Sequence, residues 1–224
     1  YCGWKYEVTA SGVYELQIHM ENDWKTVFSL SVEDSPLFSI HKRIQKHTPR
    51  FLVVDDFYED PDSVRKFALT LDFNEHKEYH KGKRTDHCYR FSGLKDRFEE
   101  LLGRKIKSWD HYGVNGCFQV CLAGDQLVYH TDLQQYAGII FLTPDAPPQC
   151  GTSFFRSKKT QDRVVPVSHP SFQQVFQGGF LDSTNFDLID KVGNVYNRLV
   201  IFHGHMIHSA SEYFGQSKEN GRLF

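Results

Sequence analysis

Gln126-Leu127-Val128-Tyr129-His130-Thr131-Asp132 carries a His-x-Asp pair, and some seventy residues on, Arg198-Leu199-Val200-Ile201-Phe202 runs into His203, Gly204, His205, Met206, Ile207 and His208. In a strand, residues i and i+2 point to the same side, so His130 and Asp132 can face one metal ion without backbone strain. A helix would splay them apart. Two imidazoles and one carboxylate converging on one face form the 2-His-1-carboxylate arrangement that holds non-haem Fe(II) and leaves coordination positions open.

His-x-Asp is too short to stand alone in a chain with twelve histidines, so its surroundings must agree with it. They do. Residues 117–122 read as a strand leading into the turn pair Gly124-Asp125, and residues 137–142 as the strand after the motif. A turn-rich stretch from Thr143 to Gly151 precedes a short strand, Thr152-Ser153-Phe154-Phe155, and Asn220-Gly221-Arg222-Leu223-Phe224 begins a last one.

Taken in order, Gln119-Val120, His130-x-Asp132, Gly138 to Leu142, Gly151 to Phe154, Arg198 to Phe202, His208 and Arg222 resemble the Fe(II)- and 2-oxoglutarate-dependent oxygenase superfamily, with a layout similar to its prolyl-4-hydroxylase-like members. The resemblance spans roughly residues 50 to 224. It implies a mainly β fold with flanking helices, a double-stranded β-helix of the jelly-roll or cupin-like kind with the metal at its open end. It also implies Fe(II), 2-oxoglutarate and O2 as the reacting set, with ascorbate a candidate reductant, and oxidative decarboxylation to succinate and CO2 coupled to hydroxylation of a substrate.

The same resemblance assigns roles. His130, Asp132 and a distal histidine become the metal ligands and catalytic centre; of His203, His205 and His208, the family's placement several residues after Arg-Leu-Val-x-Phe, in a His-Ser-Ala-like context, favours His208. Arg222 becomes the counter-ion of the distal carboxylate of 2-oxoglutarate, because a guanidinium forks onto a carboxylate with two parallel bonds. Two departures accompany the match: the co-substrate tyrosine of prolyl hydroxylases falls at Ile140, and a second tyrosine, at the end of the Gln-Val strand, falls at Ala123. The missing hydroxyl must then come from Tyr112, Tyr129 or Thr143. A carboxylate at Asp132 argues against a halogenase, which needs that position for halide.

Composition bounds the partners. At 224 residues with 40% hydrophobic and 24% charged content and a net charge of −2, the chain fits one substantial core and has no general affinity for nucleic acid or for an anionic membrane. No stretch approaches the ~20 apolar residues of a membrane span. There is no secretory signal pattern, and the start at Tyr1 leaves a removed leader open. Five cysteines without framework spacing fit reduced thiols in the cytoplasm; Cys117 and Cys121, four residues apart on a strand, would sit ~13 Å apart, beyond disulfide reach. Neither the substrate, a small molecule or a side chain, nor the oligomeric state is legible.

Residues 1–40 read as a separate small β-meander, either the end of a preceding domain or an extension of the barrel edge, and 41–224 as the oxygenase domain. After a strand at 51–54, Asp60-Pro61 opens a helix with Val64, Phe67, Ala68 and Leu71 at helical spacing, and a second helix covers Leu94 to Leu102, ended by Gly103. The charged stretch 74–90 reads as a solvated loop or as a loop over the site's mouth. The aromatic and basic insertion 156–197 either shapes a substrate pocket or packs over the barrel. Two rival functions use the same residues: a non-catalytic cupin-like metal- or ligand-binding module, and a hydrolytic or isomerising metalloenzyme. Arg222 favours the oxygenase.

Overall fold

Short β-rich runs at 51–54, 136–140 and 199–203 pair antiparallel to make the sheet on which the site depends in the computed structural model of this chain. The structure describes residues 4–8, 13–20, 23–31, 51–75 and 82–224, and it divides into two units, Tyr1–Pro49 and Arg50–Phe224; the sequence reading drew that line at 40/41. The first unit contains β1 (Trp4–Val8), β2 (Val13–Met20) and β3 (Asp23–Ser31), an antiparallel meander in the order β1-β2-β3 with a register shift between Leu16 and Gln17.

The second unit is mainly β with few helices. In chain order it holds β4 (Phe51–Val54), α1 (Pro61–Thr70), β5 (Asn74–Glu75), β6 (Lys83–Arg84), α2 (Leu94–Leu102), β7 (Gln119–Cys121), β8 (Tyr136–Ile140), β9 (Thr152–Ser157), α3 (Phe172–Val175), β10 (Phe186–Val192), β11 (Leu199–His203), β12 (His208–Ala210) and β13 (Arg222–Leu223). Hydrogen-bonded pairing sorts the strands into three sheets, β4-β11-β8, β13-β7-β6-β5 and β10-β9-β12. The first two are joined where Leu142 N donates to Leu223 O at 2.9 Å. Among the described residues no closed barrel forms.

Alternation along the strands explains the layering. Val200 and Phe202 of β11, with Phe141 just past β8, meet Phe154 of β9 and Val192 of β10 in one buried cluster, so the sheets are closed over each other by side chains. Phe154 is the centre of that cluster: its ring stacks on Phe51 at 5.1 Å and meets Phe202 edge-on at 5.2 Å. Burying a Phe side chain is worth about 1.5–3 kcal/mol. The odd residues of β11 face the other way, where Gly138 leaves room for Phe98 of α2: a Cβ there would come within 2.9 Å of the Phe98 ring.

α1 begins as its sequence dictates. The Asp60 side chain accepts from Ser63 N at 3.0 Å, and Pro61 takes the first helical position, where no donor is needed. Its Val64, Ala68 and Leu69 then cover Phe118, Val120, Leu142 and Leu223 on the outer face of β7 and β13. α2 is bracketed by Gly93 and Gly103, both left-handed at φ +79° and +63°. The 156–197 insertion packs: Phe172, Phe176 and Phe186 join Tyr129, Phe155 and Ile207 in a third cluster, and Arg156 pairs with Asp187 at 3.1 Å. Much of its aromatic part is therefore core, though Phe180 stays exposed.

Candidate metal and co-substrate site

The run from Arg198 to His208 is two strands with a tight turn between them, because Met206 N bonds back to His203 O at 2.9 Å. His203 therefore ends β11 in one sheet, His205 lies in the turn, and His208 opens β12 in the other. Gly204 is required at this turn, since a Cβ would come within 2.3 Å of Gln134 O. Asp132 N takes the Gly204 carbonyl at 2.7 Å, which pins the His-x-Asp segment beside the turn. His130 and His208 form an antiparallel bridge, with N–H···O bonds of 3.0 and 2.9 Å in the two directions.

These backbone ties bring His130, Asp132 and His208 together, one ligand atom from each lying within 4.8 Å of the others. His130 Nε2 is 3.6 Å from Asp132 Oδ1, and His208 Nε2 is 3.6 Å from Asp132 Oδ2. His203 and His205 stay outside: their rings are 5.0 Å apart, and His205 Nε2 reaches the Leu133 carbonyl at 3.3 Å. His203 Nδ1 is buried without a partner, and burial, with His205 beside it, lowers its pKa.

Whether this donor set suits a metal ion is a question of lone pairs. His130 Nδ1 is 2.9 Å from Val128 O and His208 Nδ1 is 2.8 Å from Met206 O. A carbonyl only accepts, so both Nδ1 atoms carry a proton, and both Nε2 atoms, the ones a metal would take, are turned toward Asp132. Burial, reinforced by His130, drives the His208 pKa well below its ordinary 6.5, so this imidazole is neutral, as a ligand must be. Burial raises the Asp132 pKa, against the pull of His130, His205 and Arg84. A half-buried carboxylate with two imidazole Nε2 atoms turned toward it is a donor set that a divalent cation would suit.

Arg222 lies on the inner face of β13, paired in register with Cys121 of β7, and is 2% exposed. Among the described residues no carboxylate stands within ion-pair distance of it. Its Nη2 touches Thr152 Oγ1 at 3.3 Å and Gly151 O at 3.4 Å, its Nε has no partner, and its guanidinium lies over the rings of Phe224, Phe141 and Tyr213 at 4.4, 5.3 and 5.9 Å. Burial lowers its pKa. Stacked aromatics hold a cation in place without neutralising it.

Two of the three residues expected to assist Arg222 with a hydroxyl, Thr143 and Tyr129, are taken up by other contacts. Thr143 Oγ1 donates to Gly221 O at 2.6 Å and accepts from Leu223 N at 3.0 Å, so it anchors β13. The Tyr129 ring stacks on Phe186 at 5.4 Å within the third cluster. Tyr112 sits in the segment before β7, its carbonyl accepting from Asn115 N. The hydroxyls beside Arg222 belong to Thr152 and Tyr213, and the residue of the post-motif strand facing it is Phe141; Ile140 packs on the outer side with Leu142 and Val120. Strand alternation could have found Phe141. Nothing local marks Tyr213.

A family model described as "Family of unknown function (DUF6445)" matches residues 121–223, which include the triad and Arg222. No curated protein matches the chain. Among solved structures it is similar to HygX from Streptomyces hygroscopicus with nickel and 2-oxoglutarate bound, at 11% identity and a TM-score of 0.46 over 83% of this chain and 84% of that one. A second HygX structure, with nickel, 2-oxoglutarate and hygromycin B bound, gives 13% and 0.45 over the same shares.

Proposed function

We propose that residues 50–224 are a non-haem Fe(II) dioxygenase that couples oxidative decarboxylation of 2-oxoglutarate to hydroxylation of a small molecule or side chain, built on the facing sheets of a double-stranded β-helix. The observation that carries this reading is the convergence of two imidazole Nε2 atoms, each ring oriented by a carbonyl at its Nδ1, on Asp132. His130, Asp132 and His208 would hold the iron and leave three octahedral positions. When bound, the iron supplies activation of O2 for attack on an unactivated C–H bond.

The chain's own residues orient and exclude. Arg222, a buried cation without a carboxylate partner among the described residues, would take the distal carboxylate of the keto acid, with Thr152 and Tyr213 as the hydroxyls at hand. Phe141, Phe154 and Phe202 keep water from the inner face. Cys88, Cys117, Cys121 and Cys150 form no disulfide, which supports a reducing, cytoplasmic setting. No helix among the described residues is long and apolar enough to cross a membrane.

A non-catalytic cupin-like module would keep the metal triad and have no use for a buried, unpaired guanidinium. Anaerobic addition of Fe(II) and then 2-oxoglutarate separates the two: the oxygenase reading requires the weak visible charge-transfer band of the chelate, followed in air by succinate. Iron binding with neither band nor succinate would leave the binding module.

A further inference from the structure

β6 and β7 pair with Lys83 opposite Val120 and Arg84 opposite Gln119, and β7 and β13 pair with Cys121 opposite Arg222. Cross-strand partners share a face. Val120 lies in the cluster under α1, so Lys83 points outward, whereas Arg84, Gln119, Cys121 and Arg222 share the inner face. The charged stretch before β7 thus splits at one peptide bond, and one of its cations enters the site's wall. Asp132 and Arg84 each feel the other's charge, the arginine helping to lower the Asp132 pKa.

Arg84 is half-buried, and what holds it is neutral. Its Nε and Nη2 donate to Gln119 Oε1 at 3.0 and 2.6 Å, and Gln119 in turn donates from Nε2 to Cys121 Sγ at 3.6 Å. Two of the five guanidinium N–H groups are used this way; the Nη1 edge keeps a fork of donors with no acceptor among the described residues. No carboxylate lies within ion-pair distance of Arg84 among those residues either. An amide that orients a cation without cancelling its charge leaves that charge for something else.

Position and charge say what. β6 and β13 flank β7, so Arg84 and Arg222 are two strand spacings apart and offset by two residues, a backbone separation of ~12 Å. With a divalent ion, Asp132, a dianionic keto acid and Arg222, the charges of the loaded site would cancel; Arg84, half-buried, would then add a positive charge with no carboxylate beside it among the described residues, and an unpaired, partly desolvated charge is costly. A second anion restores neutrality.

Resting on the function proposed above, we propose that Arg84, aimed by Gln119, is the specificity determinant of the site and receives an oxyanion, a carboxylate or phosphate group, carried by the molecule to be hydroxylated. The class of substrate is therefore an anionic small molecule or an acidic side chain. A neutral peptide segment would leave the fork empty.

The test reads the guanidinium directly. Zn(II) replaces iron to keep the protein diamagnetic, 2-oxoglutarate is added to saturation, and the arginine Nε–H resonances are followed by NMR, with Arg84 assigned by its loss in Arg84→Lys and Arg222 by its loss in Arg222→Lys. 2-Oxoglutarate should move the Arg222 resonance and leave that of Arg84. Inorganic phosphate, used as the probe, should then shift the Arg84 resonance to saturation at millimolar concentration without moving Arg222, and Gln119→Met should weaken that response at least several-fold. An Arg84 resonance that follows 2-oxoglutarate and then ignores phosphate overturns the inference while the oxygenase reading stands, because the arginine then serves the co-substrate. An Arg84 resonance silent to phosphate overturns it as well. An Arg222 resonance unmoved by 2-oxoglutarate overturns the oxygenase reading, and this inference falls with it.

Discussion

His130 and His208 are bound to each other through their backbones, with N–H···O bonds of 3.0 and 2.9 Å and ring centroids 4.3 Å apart. The bridge is the last rung of the β10-β9-β12 sheet, and it makes the ligand geometry a consequence of strand register. A one-residue slip on either side would turn one imidazole to the opposite face.

Metal affinity should follow from that geometry. Replacing His130, Asp132 or His208 with Ala removes a ligand, and each change should weaken anaerobic Fe(II) binding, measured by calorimetry, by at least ~100-fold, more than the loss typical of a residue that merely supports a ligand. His203→Ala and His205→Ala should stay within a few-fold of the wild type. Tight binding that survives in His208→Ala and is lost in His205→Ala would reassign the third ligand.

Acid sensitivity of the metal-free protein has a definite sign. His208 is buried with a folded pKa well below 6.5, so below pH 6.5 the unfolded chain takes up a proton that the folded protein refuses. Stability is therefore full above the unfolded pKa and falls as the pH drops below it, by at most about 1.4 kcal/mol per pH unit from this group. Urea midpoints at pH 7.5 and 5.5 should differ less in His208→Gln than in the wild type. Equal differences would mean that His208 is protonated in the fold.

What was legible in advance was local. The Asp60-Pro61 helix start depends on a cap within a few residues and stands where that logic put it. The His-x-Asp pair comes together with His208, but not as strand neighbours: His130 makes an isolated bridge and Asp132 lies outside any strand, so the bridge and the Gly204 contact set its aim in place of strand alternation. What escaped depends on pairing between distant segments. The turn at 203–206 moves His208 into the other sheet, and one residue of phase makes Phe141, not Ile140, the neighbour of Arg222. Arg84 was visible only as part of a charge run, because its inward aim is set by register with Gln119.

Arg222 should control the keto acid and little else. Arg222→Met keeps the length and apolar stem and removes the charge, and 2-oxoglutarate affinity, read from the charge-transfer band, should fall by at least ~30-fold, the lower end of the ~2–5 kcal/mol lost with one partner of a buried charge pair. Arg222→Lys should recover part, since an ammonium offers a point charge in place of a fork. Iron binding should be unchanged in both. Full keto-acid affinity in the Met variant would pass the role to another cation.

Asn197 tests the scaffold independently of the metal. It is 5% exposed and left-handed at φ +61°; its Oδ1 accepts from Tyr58 N and its Nδ2 donates to Tyr58 O, both at 2.9 Å, while its own N–H donates to Phe141 O at 2.8 Å. One side chain thus ties the segment after β4 to the entrance of β11, beside the residue that faces Arg222. Asn197→Ala leaves two Tyr58 backbone groups unpaired and puts a Cβ without compensation in the left-handed region, at a cost of roughly 2–4 kcal/mol. Asn197→Gly relieves the backbone and keeps the hydrogen-bond loss, so it should be the milder of the two by about 1 kcal/mol. Urea unfolding of the metal-free proteins measures both, and an Asn197→Gly variant as unstable as Asn197→Ala would show that the side-chain clamp, not the backbone, sets the cost.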